Sequence, residues 1–141
     1  MARYLERAVA GGRNLGLSGF EVQESVESRA SGGARKAEEA RSLRAGIAEG
    51  TRLVTLDERG KSMGSEALAQ LIGRWRDEGK AGTAFLVGGA DGLDPALVAD
   101  AELSLSFSPL TWPHQLVRIM LAEQLYRVTT ILSGHPYHRG D

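Results

Sequence analysis

The chain has 141 residues, 42% of them apolar and 25% charged, with a formal net charge of −1 and no cysteine. That is one ordinary domain of soluble composition. It excludes disulfides and cysteine-based zinc sites, and no apolar run approaches the ~18 residues of a membrane-spanning helix. The balanced charge also argues against a generic nucleic-acid binder, because phosphate neutralisation normally needs a basic excess. Any RNA recognition must then be local, conformational or shared with a larger particle. No secretory signal pattern opens the chain, and the lack of cysteine fits a reducing compartment, so the expected location is the cytoplasm.

Residues 2–10 read as the end of a helix, with Tyr4, Leu5 and Val9 apolar. A glycine-rich connection follows over 11–19, then a short strand over 20–26. Residues 30–49 are rich in Ala, Arg and Glu, all good helix formers. Their charges (Arg35, Lys36, Glu38, Glu39, Arg41, Arg44) suit a solvated face with i,i+4 pairing. Residues 52–57 read as a buried strand. The clearest amphipathic helix spans 65–79, where Leu68, Leu71, Ile72 and Trp75 fall on one face. Ser65 is its expected N-cap, Glu66 suits its first turn, and Gly79 is its expected stop.

A second buried strand is expected over 83–87. Asp94 and Pro95 look like an N-cap and a proline at the first helical position, opening a helix to about residue 101. Leu103, Leu105 and Phe107 alternate with serines as in a half-buried strand. The last helix should run over 113–132, with Val117, Leu121, Leu125, Val128 and Leu132 on one stripe. Residues 133–141 form a polar tail. Alternation of strands and helices makes the class α/β with a mainly parallel sheet. In such sheets ligands sit beyond the carboxyl ends of the strands, here after Leu56, Val87 and Phe107.

Three segments carry chemical interest. Gly88-Gly89-Ala90-Asp91-Gly92 follows a strand, and its glycines permit close backbone approach to a ligand. It is neither G-x-G-x-x-G nor a Walker loop, and from this segment alone a plain tight strand-to-helix turn is the favoured reading. The stretch from Phe107 to His114 is bracketed by Pro109 and Pro113. Its stiff main chain can read a flat heterocycle, or serve as an ordinary connector with Trp112 packed in the core. The ending His135-Pro136-Tyr137-His138-Arg139 is unusual for a terminus, which is normally disordered unless it docks. Two histidines without cysteine or a nearby carboxylate make a poor zinc site, so no metal is expected. Arg118, Glu123 and Arg127 read as surface pairs. No Ser-His-Asp triad or paired-carboxylate arrangement stands out.

Taken together the segments resemble a known family. The blocks are Leu53 to Asp57 with Gly60-Lys61 and Ser65-Glu66, then Phe85 to Gly92. Next come Leu105-Ser106, Leu110-Thr111, Pro113-His114 and Leu116 to Arg118. Leu121 to Arg127 and His135 to Arg139 complete the set. Each block alone is weak, but in this order and spacing they are similar to the large-subunit ribosomal RNA methyltransferase H family of the SPOUT superfamily. The likeness runs from about Arg3 to Arg139.

The resemblance implies a single SPOUT domain over 1–141. A C-terminal trefoil knot and cofactor region would span about 52–134, with a substrate-side tail at 135–141. Such a knot is a rare exception to unknotted topology. It implies a homodimer that uses S-adenosylmethionine to methylate N3 of a pseudouridine in a 23S ribosomal RNA stem-loop on the assembled ribosome, with no DNA or membrane partner. Cofactor residues would be Leu56, Gly88, Gly89, Phe107, Ser108, Pro109, Leu110, Thr111 and Trp112. Tyr137, His138 and Arg139 would serve catalysis. His138 would act as base or orienter, Arg139 would hold a phosphate or a developing anion, and Tyr137 would stack on or hydrogen-bond the base. Alternatively the tail only docks RNA and the N3 proton leaves to water.

The family pattern also has a first strand and the start of its helix before the segment matching Arg3-Tyr4-Leu5. Their absence would leave a raw sheet edge beside 53–57 and cost stability. The rival functional reading is a non-catalytic ribosome-binding or assembly module that keeps the knot. A SPOUT enzyme acting on another RNA fits the Pro-Tyr-His-Arg ending less well.

Overall fold

The β-branched and leucine-rich run that begins at Arg52 opens the longest strand, β1 (Arg52–Ser62). The computed structural model describes residues 1–17, 20, 22, 32–79, 82–88 and 92–138. Its elements in order are α1 (Ala2–Gly12), a 3-10 turn (Arg13–Leu15), α2 (Gly32–Ala45), β1, α3 (Ser65–Asp77), β2 (Thr83–Val87), α4 (Pro95–Asp100), β3 (Leu103–Ser106) and α5 (His114–Ser133). This is an α/β chain with a parallel sheet, as its alternating pattern requires. The strand expected over 20–26 lies outside the described residues apart from Phe20 and Val22. Two compact units emerge. One gathers 1–21, 63–79 and 115–141, and the other gathers 22–62 and 80–114.

The second unit holds the sheet, in the order β2-β1-β3. Both pairings are parallel: Leu56 lies opposite Val87 on one side and opposite Leu105 on the other. β1 is therefore the central strand. Val54 and Thr55 point to opposite faces and are both fully buried, as expected where both faces of a parallel sheet are covered. The raw edge expected beside 53–57 is not found, because β1 is hydrogen-bonded on both sides.

β1 is also longer than its apolar pattern suggested. The chain bulges over 57–60 and then pairs with β3 again, Lys61 opposite Leu105 and Ser62 opposite Ser106. Gly60 makes this return possible. A Cβ there would stand 2.6 Å from the Ser104 carbonyl oxygen, so only glycine lets the two backbones meet. At the other end of the sheet, Arg52 donates to the Glu102 carboxylate at 2.6 Å, and the Glu102 N–H donates to the Leu53 carbonyl at 2.9 Å. α4 starts as expected: Asp94 accepts from the Ala96 N–H at 2.8 Å, with Pro95 at the first helical position. Its Leu97 is fully buried, a side chain worth about 1.5–3 kcal/mol on removal from water. Arg44 of α2 pairs with Asp100 at the end of α4.

The first unit is helical. α5 carries its predicted stripe, with Leu121 and Val128 buried. α1 approaches it closely at Gly11, where a Cβ would meet the Thr129 hydroxyl at 2.8 Å. α3 approaches it at Gly73, where a Cβ would lie 3.2 Å from Leu132. α3 buries Leu68, Ile72 and Trp75, the face its sequence period marked. Its N-cap is Gly64 rather than Ser65. Ser65 is the first helical residue, and its hydroxyl is drawn to Gln124 of α5 at 2.7 Å, so a tertiary partner outcompetes the local cap. The helix ends at Asp77, two residues short of Gly79, which takes a positive φ of 73° and whose N–H donates back to the Arg76 carbonyl at 3.1 Å.

α5 ends in a tight reversal. Gly134 takes a positive φ of 73°, and the His135 N–H donates back to the Thr130 carbonyl at 2.9 Å. This six-to-one bond with a left-handed glycine is the Schellman stop. It sends the chain back along the helix it has just left.

Candidate functional site

Two constellations carry the sequence-predicted site residues, one in each unit. The first is the carboxyl edge of the sheet. Parallel pairing brings Leu56, Val87 and Leu105 to the same level, so the segments that follow them emerge side by side. Leu56, Gly88, Phe107 and Ser108 are half-buried there, while Pro109, Leu110, Thr111 and Trp112 are exposed. Gly88 is needed for a close approach: a Cβ would stand 2.6 Å from the Gly92 carbonyl carbon and 2.9 Å from the Leu93 nitrogen. Gly89 lies outside the described residues.

The loop after β3 is stapled to the bulge of β1. The Ser106 hydroxyl, buried, lies 3.1 Å from the Glu58 carbonyl oxygen and 3.0 Å from that of Ser108. The Ser108 hydroxyl accepts from the Leu110 N–H at 3.0 Å, and the Thr111 hydroxyl donates to the Glu58 carboxylate at 2.6 Å. The loop is thus shaped by side chains, with Leu110 64% and Trp112 38% exposed. Trp112 is not the core residue that a bland reading expected; Trp75 is. Glu58 was not singled out from sequence, and Ser106 entered only as part of the Leu105-Ser106 block. An acidic residue one position past the strand expected over 52–57 gives no signal until the opposing loop is in place.

The second constellation is the C-terminal tail, which is docked rather than free. All three tyrosines of the chain converge. Tyr4 of α1 lies against Tyr126 of α5 with ring centres 6.5 Å apart, and Tyr126 against Tyr137 at 4.6 Å. Arg7 sits over the Tyr126 ring at 5.8 Å, and Arg127 over the Tyr137 ring at 4.8 Å. These are aromatic and cation–π contacts at attractive distances.

Glu123 and Arg127 organise the tail. Arg127 donates from Nε to the Glu123 carboxylate at 2.9 Å, one helical turn away. The Tyr137 hydroxyl donates to the same carboxylate oxygen at 3.1 Å. Arg127 also meets Nδ1 of His138 at 2.9 Å, while Nε2 of His138 lies 3.6 Å from the Glu66 carboxylate. The Tyr137 N–H donates to His135 Nδ1 at 3.1 Å, which shapes the turn. Burial, then the hydrogen bond and the negative charge of Glu123, push the Tyr137 phenol above its ordinary 10.0, with Arg127 pulling the other way. Arg139 lies outside the described residues.

Glu123 and Arg127 read as surface pairs in the sequence. In the structure their side chains are only 18% and 26% exposed and belong to the tail network. The i,i+4 spacing was visible, but only the folded-back tail gives the pair something to hold. Among the described residues no three His, Cys, Asp or Glu side chains group as metal ligands, and no helix is long and apolar enough to cross a membrane.

A parallel sheet whose strands end side by side, with a braced loop after β3, defines an α/β protein of the kind whose carboxyl edge is the usual place for a ligand. The chain belongs to the SPOUT methyltransferase family: the family model described as "Predicted SPOUT methyltransferase" matches residues 1–138. It is similar to proteins named Ribosomal RNA large subunit methyltransferase H. One from Rhodopseudomonas palustris (strain BisB5) is 59% identical over 97% of this chain and 86% of its own length. One from Rhizobium meliloti (strain 1021) is 56% identical over the same shares, 97% and 86%. One from Bradyrhizobium sp. (strain ORS 278) is 54% identical over 97% and 85%.

Proposed function

We propose that this chain is an S-adenosylmethionine-dependent methyltransferase acting on N3 of a pseudouridine in a 23S ribosomal RNA stem-loop, on the assembled ribosome, as a cytoplasmic homodimer with the knotted family fold. The observation that carries the reading is the gathering of Leu56, Gly88 and the 107–112 loop at one edge of a parallel sheet. The near-full-length identity to relatives named as ribosomal RNA methyltransferases supports the RNA half of it.

The residues at the edge fit the cofactor by their chemistry. Leu56 gives an apolar wall, Gly88 lets the main chain come close, and residues 107–112 offer backbone groups and the exposed Leu110 and Trp112 to a flat adenine. When bound, the cofactor would supply an activated methyl on a sulfonium sulfur, for displacement by N3 with the S–CH3 bonding electrons left on sulfur and the N3 proton released to water. The protein's task is then to position the donor and the nitrogen in line. Glu58 and Ser106 do so at one remove, by holding the loop in shape. Tyr137 offers a ring to stack on the base, and Arg139 a guanidinium for a phosphate.

The test is transfer of a labelled methyl group from S-adenosylmethionine to ribosomes lacking the modification, followed by mapping of the label in 23S RNA. Label in the pseudouridine stem-loop is expected. Cofactor binding without any transfer would replace this reading with that of a non-catalytic ribosome-binding module.

A further inference from the structure

The imidazole of His138 is held in a way that decides its chemistry. An arginine side chain can only donate hydrogen bonds. Arg127 faces Nδ1 of His138 at 2.9 Å, so Nδ1 must be the accepting nitrogen and the ring proton sits on Nε2. Arg127 is itself fixed. Its Nε donates to Glu123, its second terminal nitrogen lies 2.8 Å from the same oxygen, and its guanidinium is stacked on the Tyr137 ring. Glu123 is shared in turn with the Tyr137 hydroxyl. Two residues one helical turn apart thus hold two consecutive residues of the tail. Nε2 faces Glu66, but at 3.6 Å and with the Glu66 side chain 73% exposed, too far for a hydrogen bond.

We infer that Glu123 and Arg127 are positioning residues that present His138 to the substrate as an Nε2–H hydrogen-bond donor, so that His138 orients the RNA base and does not take its proton. This rests on the reading that the tail faces the RNA. A general base needs a free lone pair. The lone pair on Nδ1 is occupied by a guanidinium, and Nε2 already carries the proton. The donor has a clear use. A pseudouridine that loses its N3 proton spreads the negative charge onto the two carbonyl oxygens flanking N3. An N–H aimed at one of them stabilises that charge as an oxyanion donor does, while the proton itself goes to water.

Two measurements on the full chain decide the matter. In the first, histidines are labelled with nitrogen-15, and the His138 resonances are assigned by comparison with His138→Gln. Nδ1 of the unvaried protein should be unprotonated and Nε2 protonated. Arg127→Met should weaken that preference to the modest Nε2–H bias of a free neutral imidazole, and Arg127→Lys, which keeps a donor, should retain it. An Nδ1–H tautomer in the unvaried chain, or equal behaviour of the Met and Lys variants, overturns the proposal. In the second, methyl transfer to ribosomes is compared in two variants. The amide of His138→Gln can still donate, so transfer should stay within about tenfold of the unvaried chain, whereas His138→Phe should lose about 100-fold or more, as for a missing oxyanion donor. Equal losses of about 100-fold or more in both, the signature of a missing base, would overturn it as well. If the unvaried chain transfers no methyl to RNA, the proposed function fails, and the tautomer measurement still decides the role of Arg127.

Discussion

At Tyr137 a single phenol reports whether the tail is docked. Its hydroxyl donates to Glu123, and burial and that carboxylate together raise its pKa above the ordinary 10.0. A proton held more tightly in the folded state than in the unfolded one stabilises the fold fully below pH 10.0 and is lost as the pH rises through the folded value. The tyrosinate absorbance of the unvaried chain minus that of Tyr137→Phe should therefore show a component titrating above 10.0. A component at or below that value would mean an undocked tail. Thr55 is the contrasting case. Its hydroxyl is fully buried at the centre of β1 and has no partner among the described residues. Burial of an unsatisfied polar group costs about 1–3 kcal/mol. Thr55→Val should then raise the denaturant midpoint with an unchanged slope, and a lower midpoint would show that the hydroxyl is satisfied in solution.

The elements depend on a few contacts whose loss is specific. β1 can bulge over 57–60 and rejoin β3 only because Gly60 lies against the Ser104 carbonyl. Gly60→Ala forces backbone to move and should cost about 1–3 kcal/mol, as overpacking does, read as a lower unfolding temperature. Since Glu58 within that bulge holds Thr111, the same substitution should also weaken binding of S-adenosylhomocysteine. Unchanged affinity would separate the bulge from the loop. The start of α4 makes a milder control. Removing the Asp94 cap with Asp94→Ala should cost about 1 kcal/mol and leave the tail untouched. The single turn after α5 has the opposite weight. Gly134 and the bond from His135 to Thr130 set the direction of residues 135–138.

For the whole molecule, cofactor binding and stability are linked. A ligand that binds only the folded chain stabilises it by about 2.7 kcal/mol at a hundred times its dissociation constant. S-adenosylhomocysteine should therefore raise the unfolding temperature of the unvaried chain in a concentration-dependent way. Gly88→Ala places a methyl group 2.6 Å from the Gly92 carbonyl carbon and should abolish most of that shift. A full shift in this variant would place the ligand away from the carboxyl edge of the sheet.

Local sequence determined the elements whose signals are themselves local. The period of Leu68, Ile72 and Trp75, the Asp94-Pro95 start and the short apolar run over 83–87 each specify a helix or strand without outside help. The order of the motif blocks determined the family. Tertiary structure decided what those blocks touch. Ser65 could not be read as lacking its cap role, because Gln124 lies 59 positions away in the chain. The bulge of β1 could not be read because a polar Arg59-Gly60-Lys61 returns to the sheet only when β3 is there to receive it. The roles of Glu58, Glu123 and Arg127 were hidden for the same reason. A charged side chain looks solvated until the chain folds back on it, and hydrogen bonds between segments distant in sequence follow no local period.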